Sequence, residues 1–144
     1  MGTPVISIRT MSPLRPSTLL SVLALLLAPV AVAASAGPRL QAFFQPELTD
    51  AAYQQKAYAK VAGKWVQPGK KGVPAVGRKT VVQAVIGRDG KLVSALVTTE
   101  SGSKAWDDAA LAAVKKAAPF APLPKSFNPP TLDAHFHVAW VAGP

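Results

Sequence analysis

KTVVQAVIGRDGKLVSALVTTESGSKAWDDAALAAVKKAAPFAPLP, residues Lys79–Pro124, spells a strand, a tight turn, a second strand, a Ser-Gly break, a helix and a proline-punctuated exit. The two arms, Thr80–Ile86 and Leu92–Thr99, are rich in Val, Ile, Leu and Thr, the residues that suit a pleated surface. Asp89-Gly90 between them predicts a type I′ hairpin turn, which needs positive φ at both central positions. On the first arm Val82, Ala84 and Ile86 share one face, while Val81, Gln83 and Val85 share the other. One of these faces is expected to pack on helices.

The helix after the hairpin carries its own boundary signals. Ser101 and Ser103 flank Gly102, and Ser103 is placed to cap the first turn through its hydroxyl. Asp107 and Asp108 lie near the positive end of the helix dipole, and Lys115 and Lys116 near the negative end. Trp106, Ala110, Ala113, Val114 and Ala117 recur at helical spacing and form one apolar stripe. Pro119 ends the run, because proline lacks an N–H and disfavours helical geometry in the residue before it.

Asp50–Val66 reads as an earlier helix, with Tyr58, Val61, Ala62 and Trp65 facing inward and Lys56, Lys60 and Lys64 on another side. Gln67–Gly77, holding three glycines and two prolines, reads as a loop. Pro119–Pro130 contains five prolines and reads as a stiff, extended connector. Leu132–Trp140 alternates as a strand: Leu132, Ala134, Phe136, Val138 and Trp140 point one way, and Asp133, His135 and His137 the other. The predicted order is α-β-β-α-β, an α+β fold with a three-stranded antiparallel sheet and two helices on one face. Residues 37–49, with Phe43-Phe44, read as a lead-in, and residues 50–144 as the domain.

The beginning of the chain carries a targeting pattern. Arg9 and Arg15 precede an apolar run from Leu19 to Leu27, and Ala34-Ser35-Ala36 is a small-x-small cleavage site, so residues 1–36 read as a signal peptide. Met11 is an alternative start that would make this segment more compact. The competing reading is an uncleaved anchor, but Leu19–Ala36 spans 18 residues and is broken by Pro29, marginal for crossing about 30 Å of hydrocarbon. Cleavage after Ala36 leaves 108 residues; loss of Arg9 and Arg15 reduces 16 basic residues to 14 against 7 acidic ones, a net charge of +7. Such a surface aids solubility, and it also attracts anionic lipid, wall polymer or an acidic protein face. Nucleic acid is not an expected partner behind an export signal, and no aromatic-basic recognition motif is present.

Residues suited to chemistry are few. The chain has no cysteine, which removes disulfides, thiol nucleophiles and thiolate metal sites. His135 and His137 share a strand face and could begin a metal site, but Asp133 is the only nearby third ligand, so a structural strand pair is the simpler reading. Asp107 and Asp108 are adjacent helical residues that point about 100° apart, unsuited to paired acid–base work. Ser101 and Ser103 have no strained elbow and no base in their sequence context. The glycines form no phosphate-cradling loop. No catalytic residue, cofactor or metal is assigned, and a non-enzymatic protein is expected.

The order of these motifs carries a resemblance. Ser101-Gly102, then Trp106-Asp107-x-Ala-Ala-Leu-x-Ala-Val, then Pro119-Phe120-x-Pro122-Leu123-Pro124, following a hairpin tipped by Asp89-Gly90, resembles the C-terminal domain of the TonB/TolA family. Tyr58, Val61, Trp65 and Pro68 resemble the helix preceding the hairpin on the TolA-like side of that family. Trp106 stands where the family usually has Leu, and the Tyr-Pro entry of TonB proper is missing. The resemblance covers Tyr53–Trp140. It implies a periplasmic protein-interaction module that contacts an outer-membrane receptor or another envelope protein by strand addition, in TonB-dependent transport or envelope integrity. It also implies partner contact through the edge of the last strand: Ala134, His135, Phe136, His137, Val138, Ala139 and Trp140. Full energy transducers have a long spacer, whereas Ala36 to Asp50 covers only 14 residues, at most about 50 Å when extended. An accessory or adaptor-like member is therefore expected. The alternative is a basic periplasmic domain that binds wall polymer or anionic lipid.

Overall fold

The structure is a computed structural model that describes Gly2 and residues 35–144. The expected signal peptide, residues 1–36, falls almost entirely outside the described residues. The element order is β1 (Gly37–Phe44), α1 (Ala51–Ala62), β2 (Lys79–Gly87), β3 (Leu92–Thr99), α2 (Lys104–Ala117) and β4 (Thr131–Val141), with a short 3-10 turn at Lys70–Gly72.

The predicted mixed fold is present, but the sheet has four strands rather than three, in the order β1-β4-β2-β3, all antiparallel. The additional strand is the segment that reads in sequence as a lead-in. GPRLQAFF places Leu40, Ala42 and Phe44 at alternate positions, and these three turn toward the core, while Arg39, Gln41 and Phe43 stay exposed. Pro38 is tolerated because a proline without an N–H fits an outer strand.

The helices cover one face of the sheet. Val82, Ala84 and Ile86 from β2 and Leu132, Ala134, Phe136 and Val138 from β4 are buried there, as the period-two pattern requires. They meet Trp106, Ala110, Ala113, Val114 and Ala117, the whole predicted stripe of α2. Trp106 is fully buried, its indole N–H donates to the Val138 carbonyl at 3.0 Å, and its ring packs edge-on against Trp65 and Trp140. Removing such a side chain from a core costs about 3–5 kcal/mol.

The first helix is shorter than its sequence pattern. Asp50 caps it by accepting the Tyr53 N–H at 2.9 Å, but Gly63 closes it, so Trp65 lies beyond the helix and folds back onto Trp106. Its buried positions are Tyr53, Ala57 and Val61, whereas Tyr58 and Ala62 are half-buried. Tyr53 donates its hydroxyl to the Ala121 carbonyl at 2.7 Å, and burial raises its pKa.

The hairpin also differs from the type I′ expectation. No residue other than glycine has positive φ among the described residues, so Asp89 does not adopt the geometry that turn demands. The loop has three residues, Arg88, Asp89 and Gly90. Gly90 donates to the Gly87 carbonyl at 2.9 Å and takes φ +86°, and Gly87 donates to the Lys91 carbonyl at 2.8 Å. This is the arrangement in which a turn is followed by one left-handed glycine. Asp89 contributes through its side chain, which accepts the Lys91 N–H at 3.0 Å.

The proline-rich connector is not a free spacer. Phe120 donates its N–H to Gly90, Leu123 donates to Arg88, and the Arg88 guanidinium caps the Phe127 carbonyl. Phe120, Leu123 and Phe127 are buried in the core. The hairpin tip and the connector therefore clasp each other. A Cβ at Gly90 would collide with the Phe120 carbonyl as well as straining the backbone. Gly90→Ala is expected to lower stability by about 2 kcal/mol or more, since left-handed geometry alone costs a non-glycine residue about 1–2 kcal/mol. Urea unfolding of the two proteins checks this, and an unchanged midpoint would show that the clasp contributes nothing.

Candidate partner-binding sheet edge

The partner site expected from the resemblance is Ala134–Trp140 in β4, and its placement differs from the expectation in one decisive respect. β4 is an interior strand. One side of its backbone pairs with β2, from Thr131↔Gly87 to Ala139↔Lys79, and the other side pairs with β1, from Ala134↔Phe44 to Val141↔Gly37. The backbone edge expected to be open is closed by β1. The outer strands of the sheet are β1 and β3.

The side chains of the segment divide by face. Ala134, Phe136 and Val138 are buried under the helices, and Trp140 is half-buried against Trp106. Phe136 stacks on Phe120 and meets Phe44 of β1 edge-on. His135, His137 and Ala139 lie on the opposite face, which carries no helix, and are half-buried there. Four of the seven named residues thus serve the core, and three line the uncovered face.

That uncovered face is polar at its centre and apolar at its flanks. Gln83 donates to both oxygens of Asp133 at 3.1 Å, and His135 Nε2 lies 3.4 Å from Asp133 Oδ1. His137 Nδ1 lies 3.3 Å from Lys79 Nζ, and its ring packs against Phe43 with centroids 4.6 Å apart. Phe43 and Leu96 are half exposed on either flank. No group of three metal-ligating side chains exists among the described residues.

The remaining singled-out polar residues are structural. Ser103 caps α2, accepting the Trp106 N–H at 3.3 Å and donating to the Gly72 carbonyl at 2.6 Å. Gly102 takes φ +94° just before it. Asp107 is buried and accepts from Thr80 Oγ1 at 2.5 Å and from the Ser101 N–H at 2.9 Å, so it ties the helix start to β2. Asp108 pairs instead with Lys104 at 2.8 Å on the surface. The sequence places both carboxylates at a helix start, yet only the fold distinguishes their roles. Pro122 is exposed and Pro124 half-buried in the connector that crosses the hairpin tip.

A second surface is electrostatic. Lys56, Lys60 and Lys64 of α1 and the stretch beyond it, with Lys115 and Lys116 at the end of α2, are exposed on the helical side. None of the five is in an ion pair among the described residues, and α1 contains no acidic residue.

The described residues thus form a two-layer α/β domain whose sheet is covered by helices on one face and left uncovered on the other. A family profile described as the TonB C terminal matches residues 50–136. The chain belongs to the TonB C-terminal family, whose domain is a non-catalytic interaction module suited to the cell envelope. Comparison with curated proteins and with solved structures gave no match. The matched segment runs from the cap of α1 into β4 and leaves out β1.

His137 reports on the uncovered face. Burial first, then the Lys79 charge and His135, hold its pKa below the ordinary value of 6.5. Unfolding releases the ring, so the unfolded chain binds more protons between the folded pKa and 6.5, and stability falls as pH drops through that window. Melting temperature should therefore fall between about pH 7.5 and about pH 5 more in the wild type than in His137→Gln. Parallel pH dependence in the two proteins would refute this origin.

Proposed function

We propose that the domain is a periplasmic protein-interaction module that takes an extended segment of an envelope protein onto its sheet, in TonB-dependent transport or envelope integrity. The family match over residues 50–136 carries this reading. Its physical support is a small sheet with helices on one face, whose outer backbone groups can pair with an incoming strand. We take residues 1–36 as a cleaved signal peptide, on the strength of Arg9, Arg15, the Leu19–Leu27 run and Ala34-Ser35-Ala36. Cleavage would leave Gly37, the first residue of β1, at the start of the mature chain. No helix among the described residues is long and apolar enough to cross a membrane.

An accessory or adaptor role fits better than force transfer across the periplasm. The lead-in expected over residues 37–49 forms β1 over Gly37–Phe44, so that stretch is part of the sheet and not a free spacer. Site-specific crosslinking in cells, with the photoreactive residue on the exposed Leu96 or Phe43, should trap a discrete outer-membrane or periplasmic protein. Capture of the same protein in extracts should persist in about 1 M salt, where charges are screened beyond about 3 Å. Absence of any discrete adduct would defeat the reading.

The lysines on the helical side, none of them in an ion pair among the described residues, favour a second reading, attraction of the domain to anionic lipid or wall polymer. Cosedimentation with anionic vesicles should then fall by about tenfold between low and physiological salt. The combined Lys56→Ala, Lys60→Ala and Lys64→Ala variant should bind as weakly as the wild type does at high salt. If this variant retains full binding at low salt, the lysines are only a solvated face.

A further inference from the structure

β1 has the marks of an occupant rather than a founding strand. It lies outside the segment that matches the family, and that segment already holds β2 and the first part of β4, which pair with each other. Without β1, the outward-facing N–H and C=O groups of Ala134–Trp140 would form the sheet edge. β1 pairs that edge and adds only a partial apolar cover to the core. Its core-facing residues Leu40, Ala42 and Phe44 are only half-buried, whereas Ala134, Phe136 and Val138 opposite them are buried.

Its packing against α1 is also incomplete. A cleft of about 300 Å³ opens between the two, lined by Ala42, Phe44, Ala51, Gln54, Gln55 and Tyr58. A second cleft of about 620 Å³ runs past Gly37–Leu40 and Tyr58 to the end of β4. The strand joins α1 through Gln45–Asp50, where Gln45 is fastened at both its ends: its N–H donates to the Asp133 carbonyl at 3.3 Å, and its side chain accepts the Asp133 N–H at 2.8 Å. A peeling strand would therefore pivot at Gln45.

We propose that β1 is a self-supplied strand that holds the β4 edge closed, and that a partner segment enters by displacing it. The proposal rests on the strand-capture reading above and adds the gate and the partner's chemistry. The incoming segment is an extended peptide, antiparallel to β4, with apolar residues at three alternate positions that replace Leu40, Ala42 and Phe44. Between them it carries polar residues facing His135, His137 and Ala139.

The chain contains no cysteine, so a disulfide can lock the gate cleanly. Arg39 and Ala139 are register partners on the uncovered face, and Arg39→Cys with Ala139→Cys would staple β1 to β4. The probe is a labelled synthetic peptide, GPRFQLFW, which keeps the alternation of β1 with larger residues at its three core-facing positions; it is added to the full chain and followed by fluorescence anisotropy. The oxidised double variant should bind it at least about tenfold more weakly than the same protein after reduction. Ala42→Asp, which weakens the chain's own strand, should bind it about tenfold more tightly than the wild type. Equal binding by the oxidised and reduced forms would overturn the gate, because reduction restores the strand without altering the fold. A wild-type dimer that the lock dissolves would assign the edge to a second copy of the chain and overturn the partner proposal. If the locked form still captures the crosslinked envelope protein while refusing the peptide, the gate fails and the interaction reading stands. If the wild type captures no envelope protein, that reading fails whatever the peptide does.

Discussion

β4 has to be hydrogen-bonded on both sides, and most of the structure follows from how that demand is met. A strand inside a sheet exposes two rows of backbone donors and acceptors, and burying either row unpaired would cost several hydrogen bonds. β2 satisfies one row over nine register pairs and β1 the other over eight. Once paired, β4 places four buried side chains, Leu132 to Val138, under the helices at the centre of the core. The Val138 carbonyl also receives the Trp106 indole N–H, so α2 is tied to the same strand. Trp65 and Trp140 then close around Trp106.

The elements legible in the sequence are those whose period and punctuation agree. The alternation of Val82, Ala84 and Ile86, the stripe of α2 and its Ser103 cap each carry two independent signals, and all three are present. β1 carries one. Its alternation spans only Leu40, Ala42 and Phe44, and the adjacent Phe43 blurs it because that ring packs outward on His137. Gly37-Pro38 reads as loop chemistry, although proline is compatible with an outer strand. What makes these residues a strand is the unpaired side of β4, a long-range requirement that no local pattern contains.

The hairpin and the first helix show the same limit at smaller scale. Asp89-Gly90 locates the turn correctly, but its type depends on Arg88 joining the loop, and Arg88 is held there by carbonyls of the connector far along the chain. The apolar spacing through Trp65 suggests a longer helix, yet Gly63 ends it and aromatic packing on Trp106 decides where Trp65 goes. The candidate site was legible as a strand with two faces. Its burial between two neighbours was not, because the neighbour that closes it lies outside the family pattern.

The closeness of β1 to its own edge sets a quantitative condition on any competitor. Gln45–Asp50 is a link of six residues, and a short tether of this kind holds its end at an effective concentration of about millimolar. A partner strand present at about micromolar would have to pair about a thousandfold better than β1, an advantage of about 4 kcal/mol. Two routes can supply it. The partner can fill the clefts beside Tyr58 that Leu40, Ala42 and Phe44 leave open, adding apolar burial at about 25 cal/mol per Å². Alternatively it can be tethered nearby, so that its own effective concentration rivals that of β1. Filling the clefts requires only larger residues at the three alternate positions, which makes side-chain size there the determinant of which segments can open the edge.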